Sequence, residues 1–551
     1  MSTPVFDVAN HWSLRSGFLA SAAAHPHRPA LFVGGTTLSY AELELNARVL
    51  AAAVVGALGR PAERVGVFAS RTQAAYAGTL AALLSGAAFV PLNRKFPDER
   101  SRSMARQALL DAVIVDRQSA PQIGAVLDGI GYTPVVIVPE PGVTVDVPAG
   151  CRVIDSTQLA EFAPLEALPP VLADDLAYLL FTSGTTGEPK GVGVSHANVL
   201  HYLDVVGAQY PLTPDDRCSQ TFDQTFDLAV HDLFMTWNAG ACLYAMQPIE
   251  LLAPVRFISK HGLTSWFSVP SAPALAIKAN MLRPGNMPSL RYSFFCGEPL
   301  PNATADAWQR AAANSAVDNL YGPTELTIAC FTYRWDSATS PDDSVNGIVS
   351  IGKPLPGLGA IVVDDALRPV ADGEVGELLV CGPQVTPGYW RDERKTAERF
   401  VTLSVSDTRA KRFYRTGDRV VRQPGGDYAY IGRVDHQIKV LGFRVELAEI
   451  EAAMLRHDGV VQAVAIGWPV EDGRATGIVG FVSGQVDEPE TLRRGLFRTL
   501  PDYMVPSRVL VVEEFPVNAN GKVDRKQLTE QLAAQREAGV AQSTPQAAAR
   551  A

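Results

Sequence analysis

The sequence predicts an α/β fold: a large N-terminal region of parallel-type βαβ sheets with a β-rich subdomain, followed by a small α+β unit. Three observations predict it. Strand-like apolar runs alternate with helix-like segments over residues 38–138 and again over 263–295, the rhythm of parallel strands joined by helical crossovers. From about 347 to 434 the texture changes to short strands punctuated by Gly, Pro and Asp, which reads as a mainly β subdomain. After GRVDHQ at 432–437 a shorter mixed pattern begins.

Taken in order, SYAELELNARVLAAAVVGAL carries apolar residues at helical spacing, with Ser39 as N-cap and Glu42 three positions on, a capping box. RVGVFAS is a β-branched strand, RTQAAYAGTLAALLSGA a helix, and AFVPL, DAVIVD and PVVIVP are further strands. LTSWFSVP and LRYSFFCG flank the helical SAPALAIKANML. The β-rich stretch holds VSIGKPLPGLGAIVVDD, GEVGELLVCG and RFYRTGDRVVR. Beyond it, QIKVLGFRV is strand-like, ELAEIEAAMLRH an amphipathic helix, VVQAVAIGWP a strand, and RRGLFRTLPDYMVP a helix running into a turn. Residues 532–551 are rich in Ala and Gln with little to bury, so a frayed tail is expected there. No internal repeat is evident.

Composition sets outer bounds. A chain of 551 residues, 47% apolar and 19% charged, has material for two or more cores. With 48 basic against 58 acidic residues the net charge is -10, which argues against a nucleic-acid partner bound through a general positive field. No basic-then-apolar leader opens the sequence, and no apolar stretch approaches the roughly 20 residues that span a bilayer. Six cysteines lie far apart without a C-x-x-C pair, as expected of reduced thiols in a cytoplasmic protein. The same absence of Cys/His clusters argues against zinc.

The chemically suggestive segment is YLLFTSGTTGEPKGV, residues 178–192. An apolar strand enters a loop of hydroxyls, glycines and one lysine. Such a loop turns sharply, presents backbone N–H groups and neutralises an anion, the needs of phosphate binding. A Walker loop requires G-x-x-x-x-G-K-[ST]; here Gly184 and Gly187 are too close and Lys190 follows a proline.

This segment resembles the phosphate loop of the adenylate-forming superfamily: acyl-CoA synthetases, luciferase and the adenylation domains of non-ribosomal peptide synthetases. NLYGPTE at 319–325, YRTGD at 414–418, GRVDHQIKVLGFRVELAEIE at 432–451 and NANGKVDRK at 518–526 follow in the superfamily's order. The resemblance spans about Leu14 to Lys526 and is closest to a free-standing amino-acid adenylation domain.

It implies a ligase in two steps: carboxylate plus ATP gives acyl-AMP and pyrophosphate, then the acyl group passes to a thiol. ATP and Mg²⁺ are the implied cofactors. Thr182, Ser183, Gly184, Thr185, Thr186, Gly187 and Lys190 would hold the β- and γ-phosphates, and Glu325 would be the Mg²⁺-associated carboxylate. Tyr321 would stack on adenine and Asn319 would bond its edge, with Gly322 and Thr324 beside them. Asp418 would accept both ribose hydroxyls, and Arg433 would approach ribose and phosphate. Lys522 would join the substrate carboxylate to the α-phosphate. Asp435 would be the hinge between a core of residues 1–434 and a mobile lid of 435–531. Rotation about it would replace Lys522 by the Lys439–Arg444 loop, where Gly442 admits a pantetheine arm. Leu441 departs from the basic residue frequent in that loop.

FDQTFDLAVHDLF at 222–234 narrows the carboxylate. In amino-acid-activating members that it resembles, an aspartate at the position of Asp227 pairs with the substrate ammonium; the alternative is an N-cap for the following helix. The implied pocket wall is Asp227, Leu228, His231, Ser268, Phe294, Cys296, Leu320, Ile328 and Ala329. This wall is nearly neutral, pointing to a small neutral amino acid: serine, cysteine or threonine, with proline next. His231 could equally be a packed core histidine. Nothing follows Lys526 except the tail, so the expected partner is a phosphopantetheinylated carrier protein supplied in trans, in non-ribosomal peptide or related secondary-metabolite biosynthesis. A monomer is expected; dependence on a small activating protein stays open. The alternatives are an acyl- or aryl-CoA ligase of the same fold and, more distantly, a non-catalytic nucleotide-binding protein.

Overall fold

The computed structural model describes residues 13–184, 188–404, 410–435, 437–440, 442–471, 474–486, 488–516 and 523–543, with side chains as far as 536. The chain divides into two compact units: residues up to 182 together with 189–435, and 183–188 together with 436 onward.

The first unit contains two large sheets. In one, strands Val153–Ile154, Val135–Ile137, Ala112–Val115, Arg64–Phe68, Ala88–Leu92 and Leu176–Thr182 run parallel in that spatial order, and Lys190–Ser195 closes the edge antiparallel. These strands are short and almost wholly buried, as both faces are covered by helices. The helix Tyr40–Leu58 begins at the expected capping box, with Ser39 accepting from the Glu42 N–H and Glu42 returning to the Ser39 N–H.

The second sheet has nine strands. Its parallel centre places Ala316–Tyr321, Tyr292–Phe295, Ser265–Ser268, Arg217–Gln220 and Cys242–Ala245 side by side. A five-stranded antiparallel sheet follows: Gly359–Val363, Val375–Cys381, Lys411–Arg422 and Phe400–Leu403, with Tyr428–Arg433 on Lys411–Arg422. The six cysteines are free, and all but Cys151 are buried. Among the described residues no helix is long and apolar enough to cross a membrane.

In the second unit, Gln437–Val440 and Phe443–Glu446 form a hairpin with Gly442 at φ +83°, a turn conformation that glycine adopts without strain. The helix Leu447–Leu455 packs Ile450 and Met454 onto a three-stranded sheet of Val460–Gly467, Ile478–Gly484 and Arg508–Val511. The expected tail is corrected in part: a helix runs over Arg525–Ser543. Ala, Gln, Glu and Arg are good helix formers, and Leu528 and Leu532, one turn apart, are buried with Val464, Phe481 and Phe515.

Candidate active site

Three neighbouring parallel strands of the nine-stranded sheet end together, the place where α/β sheets bind ligands. Ser268 ends one, Cys296 follows the next, and Leu320 lies near the end of the third. Phe294 sits in the middle strand. All are buried, as are Asp227, Leu228, His231, Ile328 and Ala329.

Asp227 occupies the N-cap position of the helix Leu228–Asn238, yet its side chain makes no capping bond. Its carboxylate Oδ2 instead accepts from the Ile328 N–H at 3.3 Å. The acid thus faces the turn after Glu325 rather than its own helix. Thr327 and Ile328 hold consecutive positive φ values of +58° and +70°, left-handed backbone that β-branched residues rarely adopt.

His231 is enclosed by Phe267 and Phe294, with ring centroids at 4.6 and 5.5 Å. Its Nδ1 shares a hydrogen bond of 2.8 Å with the Tyr202 hydroxyl. Burial pushes the imidazole down to about 3, so near neutrality it carries no charge and serves no acidic side chain. Ser268 Oγ accepts from the Trp266 indole at 2.9 Å and donates to the Val269 carbonyl. These predicted polar spots are already engaged within the protein. Tyr178 is a further polar group here: its buried hydroxyl has no partner among the described residues, and burial followed by the charge of Asp227 raises its pKa.

A second cluster lies around Glu325, which is fully buried. Lys190 Nζ is 3.8 Å from its Oε1, and the Tyr389 hydroxyl donates to the same oxygen at 2.7 Å. Lys190 also lies over the Tyr389 ring at 5.0 Å, a cation–π contact. The Thr386 N–H donates to the Glu325 carbonyl. Antiparallel pairing of Thr182 with Lys190 brings the two ends of the predicted phosphate loop together. Thr182 Oγ1 is buried with no partner among the described residues, a donor that suits a phosphate oxygen. Thr185, Thr186 and Gly187 lie outside the described residues. Ser183 and Gly184 group with the second unit, where the Ser183 hydroxyl donates to the Arg444 carbonyl and the Gly184 N–H to Glu449. Lys439 lies on the same hairpin, paired with Arg444. Lys522 lies outside the described residues.

A third group is an ion-paired chain. Asp418 Oδ1 accepts from Arg433 at 2.7 Å, and its Oδ2 accepts from the Tyr321 hydroxyl at 2.5 Å. Arg433 in turn grips Asp435 through two bonds of 2.6 and 2.8 Å. The Tyr321 ring meets Phe331 edge-on. The Asn319 side-chain amide donates to the Ser350 carbonyl at 2.9 Å. So Asp418, Tyr321 and Asn319 each hold an internal bond at the positions assigned to nucleotide contacts. Thr324 opens the short 3-10 turn that carries Glu325. Gly322 is required by packing: a Cβ there would lie 2.6 Å from Ala329 Cα.

Among the described residues no group of three or more His, Cys, Asp or Glu could cage a metal. One buried carboxylate beside a lysine suits Mg²⁺, an ion commonly held by one or two carboxylates plus substrate phosphates. The sequence missed Tyr389 and Tyr202, and also Gln384, whose buried side-chain amide bonds the carbonyls of the turn after Glu325; no local motif marks them.

The profile described as AMP-binding enzyme matches residues 18–390, and that of the AMP-binding enzyme C-terminal domain matches 449–522. The chain is 33% identical over 519 residues to the L-proline--[L-prolyl-carrier protein] ligase of Streptomyces coelicolor, covering 92% of this chain and 94% of that one. Its 32% identity to tyrocidine synthase 2 of Brevibacillus parabrevis covers 91% of this chain but 13% of that much longer protein. Among solved structures, the Vibrio cholerae adenylation domain AlmE in complex with glycyl-adenosine-5'-phosphate matches with a TM-score of 0.82 at 31% identity, covering 97% of this chain and 100% of that one.

Proposed function

Because the chain belongs to the AMP-binding enzyme family and is an adenylating ligase, we propose that it activates a small neutral amino acid as the aminoacyl-AMP, releasing pyrophosphate, and transfers it to the pantetheine thiol of a carrier protein. The observation that carries this reading is Asp227: a buried carboxylate turned away from its helix and towards the Ile328 N–H. A substrate ammonium placed against it would gain a buried charged partner, a contact that an acid without an amine cannot make.

The rest of the site supports the same chemistry. The carboxylate and the α-phosphate repel, so catalysis is mainly positioning and charge neutralisation. Lys190 and Thr182 are disposed for phosphate oxygens, and Asp418 with Arg433 for the ribose. Asp418 keeps lone pairs for ribose hydroxyls beside its two internal bonds. Glu325 would hold Mg²⁺, which when bound neutralises charge on the phosphates. Lys522 would bring together the two anions of the first step. Asp435, the last residue of the first unit, would be the hinge residue.

The neutral wall supports a small uncharged side chain. Serine, cysteine and threonine remain the first candidates and proline the next. The prior engagement of Ser268 and His231 adds weight to proline, the amino acid for which the Streptomyces coelicolor relative is named. That name also supports a carrier protein as acceptor. ATP–pyrophosphate exchange across the proteinogenic amino acids and a panel of carboxylic acids tests the reading. Selective exchange with a small neutral amino acid is expected; exchange only with acids lacking an α-amine would overturn it. Offering coenzyme A and a carrier-protein thiol side by side separates this activity from an acyl- or aryl-CoA ligase.

A further inference from the structure

The turn that presents Ile328 to Asp227 is strained, and one side chain holds it from behind. Gln384 is fully buried on the segment that follows the strand Val375–Cys381. Its side-chain nitrogen lies 3.1, 3.2 and 2.7 Å from the carbonyls of Leu326, Thr327 and Ala329, its two N–H groups shared among the three acceptors. The Thr327 hydroxyl returns a bond to the Gln384 backbone carbonyl at 2.8 Å. The enclosed residues Thr327 and Ile328 are the two left-handed, β-branched ones. Without a clamp, such a pair would relax towards ordinary backbone angles.

The clamp is itself braced. Asn198, which completes the capping box of the helix His196–Gln209, donates to the carbonyls of Pro383 at 2.6 Å and Val385 at 3.3 Å. The Gln384 side-chain carbonyl can only accept, so His201 Nδ1, 3.3 Å away, is the donor to it. Every polar atom of the Gln384 side chain is therefore engaged.

We infer that Gln384 is a positioning residue for the acyl substrate: its carboxamide holds the Thr327–Ile328 turn left-handed, and thereby sets Ile328 and Ala329 against the substrate and opposite Asp227. The inference rests on the reading of these residues as the amino-acid pocket. No other side chain of this length replaces it. Methionine fills the space without donors, glutamate would turn an acceptor towards three carbonyls, and asparagine is one methylene short.

The test is steady-state ATP–pyrophosphate exchange on the full chain with Gln384→Met, using the best carboxylate substrate of the wild type. The KM for that substrate is expected to rise about tenfold, with the KM for ATP nearly unchanged and a wider range of substrates accepted. Adding Thr327→Asn should recover part of the loss, because asparagine tolerates left-handed backbone better than threonine. A merely structural residue would lower thermal stability without this split. An unchanged substrate KM and selectivity, or equal rises in both KM values, would overturn the inference. If Gln384→Met does not fold, Gln384→Asn gives the same readout. Should the wild type prefer an acid without an amine, the amino-acid reading falls while the KM comparison still decides Gln384. Should it prefer an amino acid and Gln384→Met bind it normally, the clamp alone falls.

Discussion

The hydroxyl of Tyr389 donates to Oε1 of Glu325 at 2.7 Å, across 64 positions of sequence. The same oxygen is the one nearest Lys190. Removing the hydroxyl takes a donor from a fully buried carboxylate, a loss of about 1–3 kcal/mol. Tyr389→Phe is therefore expected to raise the KM for ATP about tenfold while leaving that for the amino acid nearly unchanged. Exchange kinetics with each substrate varied in turn check this. An unaltered ATP dependence would remove Tyr389 from the nucleotide site.

Asp227→Ala should abolish amino-acid-dependent exchange. Losing one side of a buried ion pair costs about 3–5 kcal/mol, which corresponds to at least a hundredfold in kcat/KM. The matched control is the des-amino analogue of the substrate, whose weak exchange should improve in the variant relative to wild type. If both compounds lose activity equally, the aspartate is structural.

Gly322→Ala would place a methyl 2.6 Å from Ala329 Cα and 2.9 Å from the Cys330 nitrogen. Both are backbone atoms that a rotamer change cannot move, so the cost should be about 2–4 kcal/mol. A clear fall in the thermal midpoint is expected, together with lost exchange. A variant as stable as wild type would show that the strand Ala316–Tyr321 and the turn at 329 separate readily.

Acidification should test the buried histidine. An unfolded chain takes up this proton as the pH falls below His231's ordinary value of 6.5, whereas the folded protein resists until about 3. The folded state is thus fully favoured above 6.5 and loses stability as the pH falls through that window. From about pH 7 to about pH 5 the loss from this one group is roughly 2 kcal/mol. Comparing denaturant midpoints at both values, wild type should lose more than His231→Phe; equal losses would mean the imidazole is solvated.

Lys522→Ala is expected to eliminate pyrophosphate exchange yet retain thiol transfer from chemically prepared aminoacyl-AMP. Rapid-quench measurement of each half-reaction separates the two. Near-normal exchange would remove Lys522 from the first step.

Much of this molecule was legible because it is local. The Ser39–Glu42 capping box needs four consecutive residues, and the strand–helix alternation needs only hydrophobic period. Family motifs likewise brought Lys190, Glu325, Asp418 and Arg433 into view. What stayed hidden depends on topology. Gln384 and Tyr389 reach their partners only because the strand Val375–Cys381 delivers the segment 382–390 to the turn after Glu325. Residue type also misleads where one group can serve two purposes. The Asn319 amide suits an adenine edge and suits the Ser350 carbonyl equally well. The helix Arg525–Ser543 was obscured by its plain composition, although Leu528 and Leu532 at one-turn spacing were the available signal.

The segment 382–390 has a practical corollary for recombination. It holds the pocket turn through Gln384 and the buried carboxylate through Tyr389, so the two halves of a fastener lie about sixty residues apart in the chain. A chimera joined between the Ile328 turn and Gln384 would mate one parent's hook with another's eye. Junctions placed before Glu325 or after Trp390 would keep the fastener from a single parent, and grafts of substrate preference should survive there and fail between.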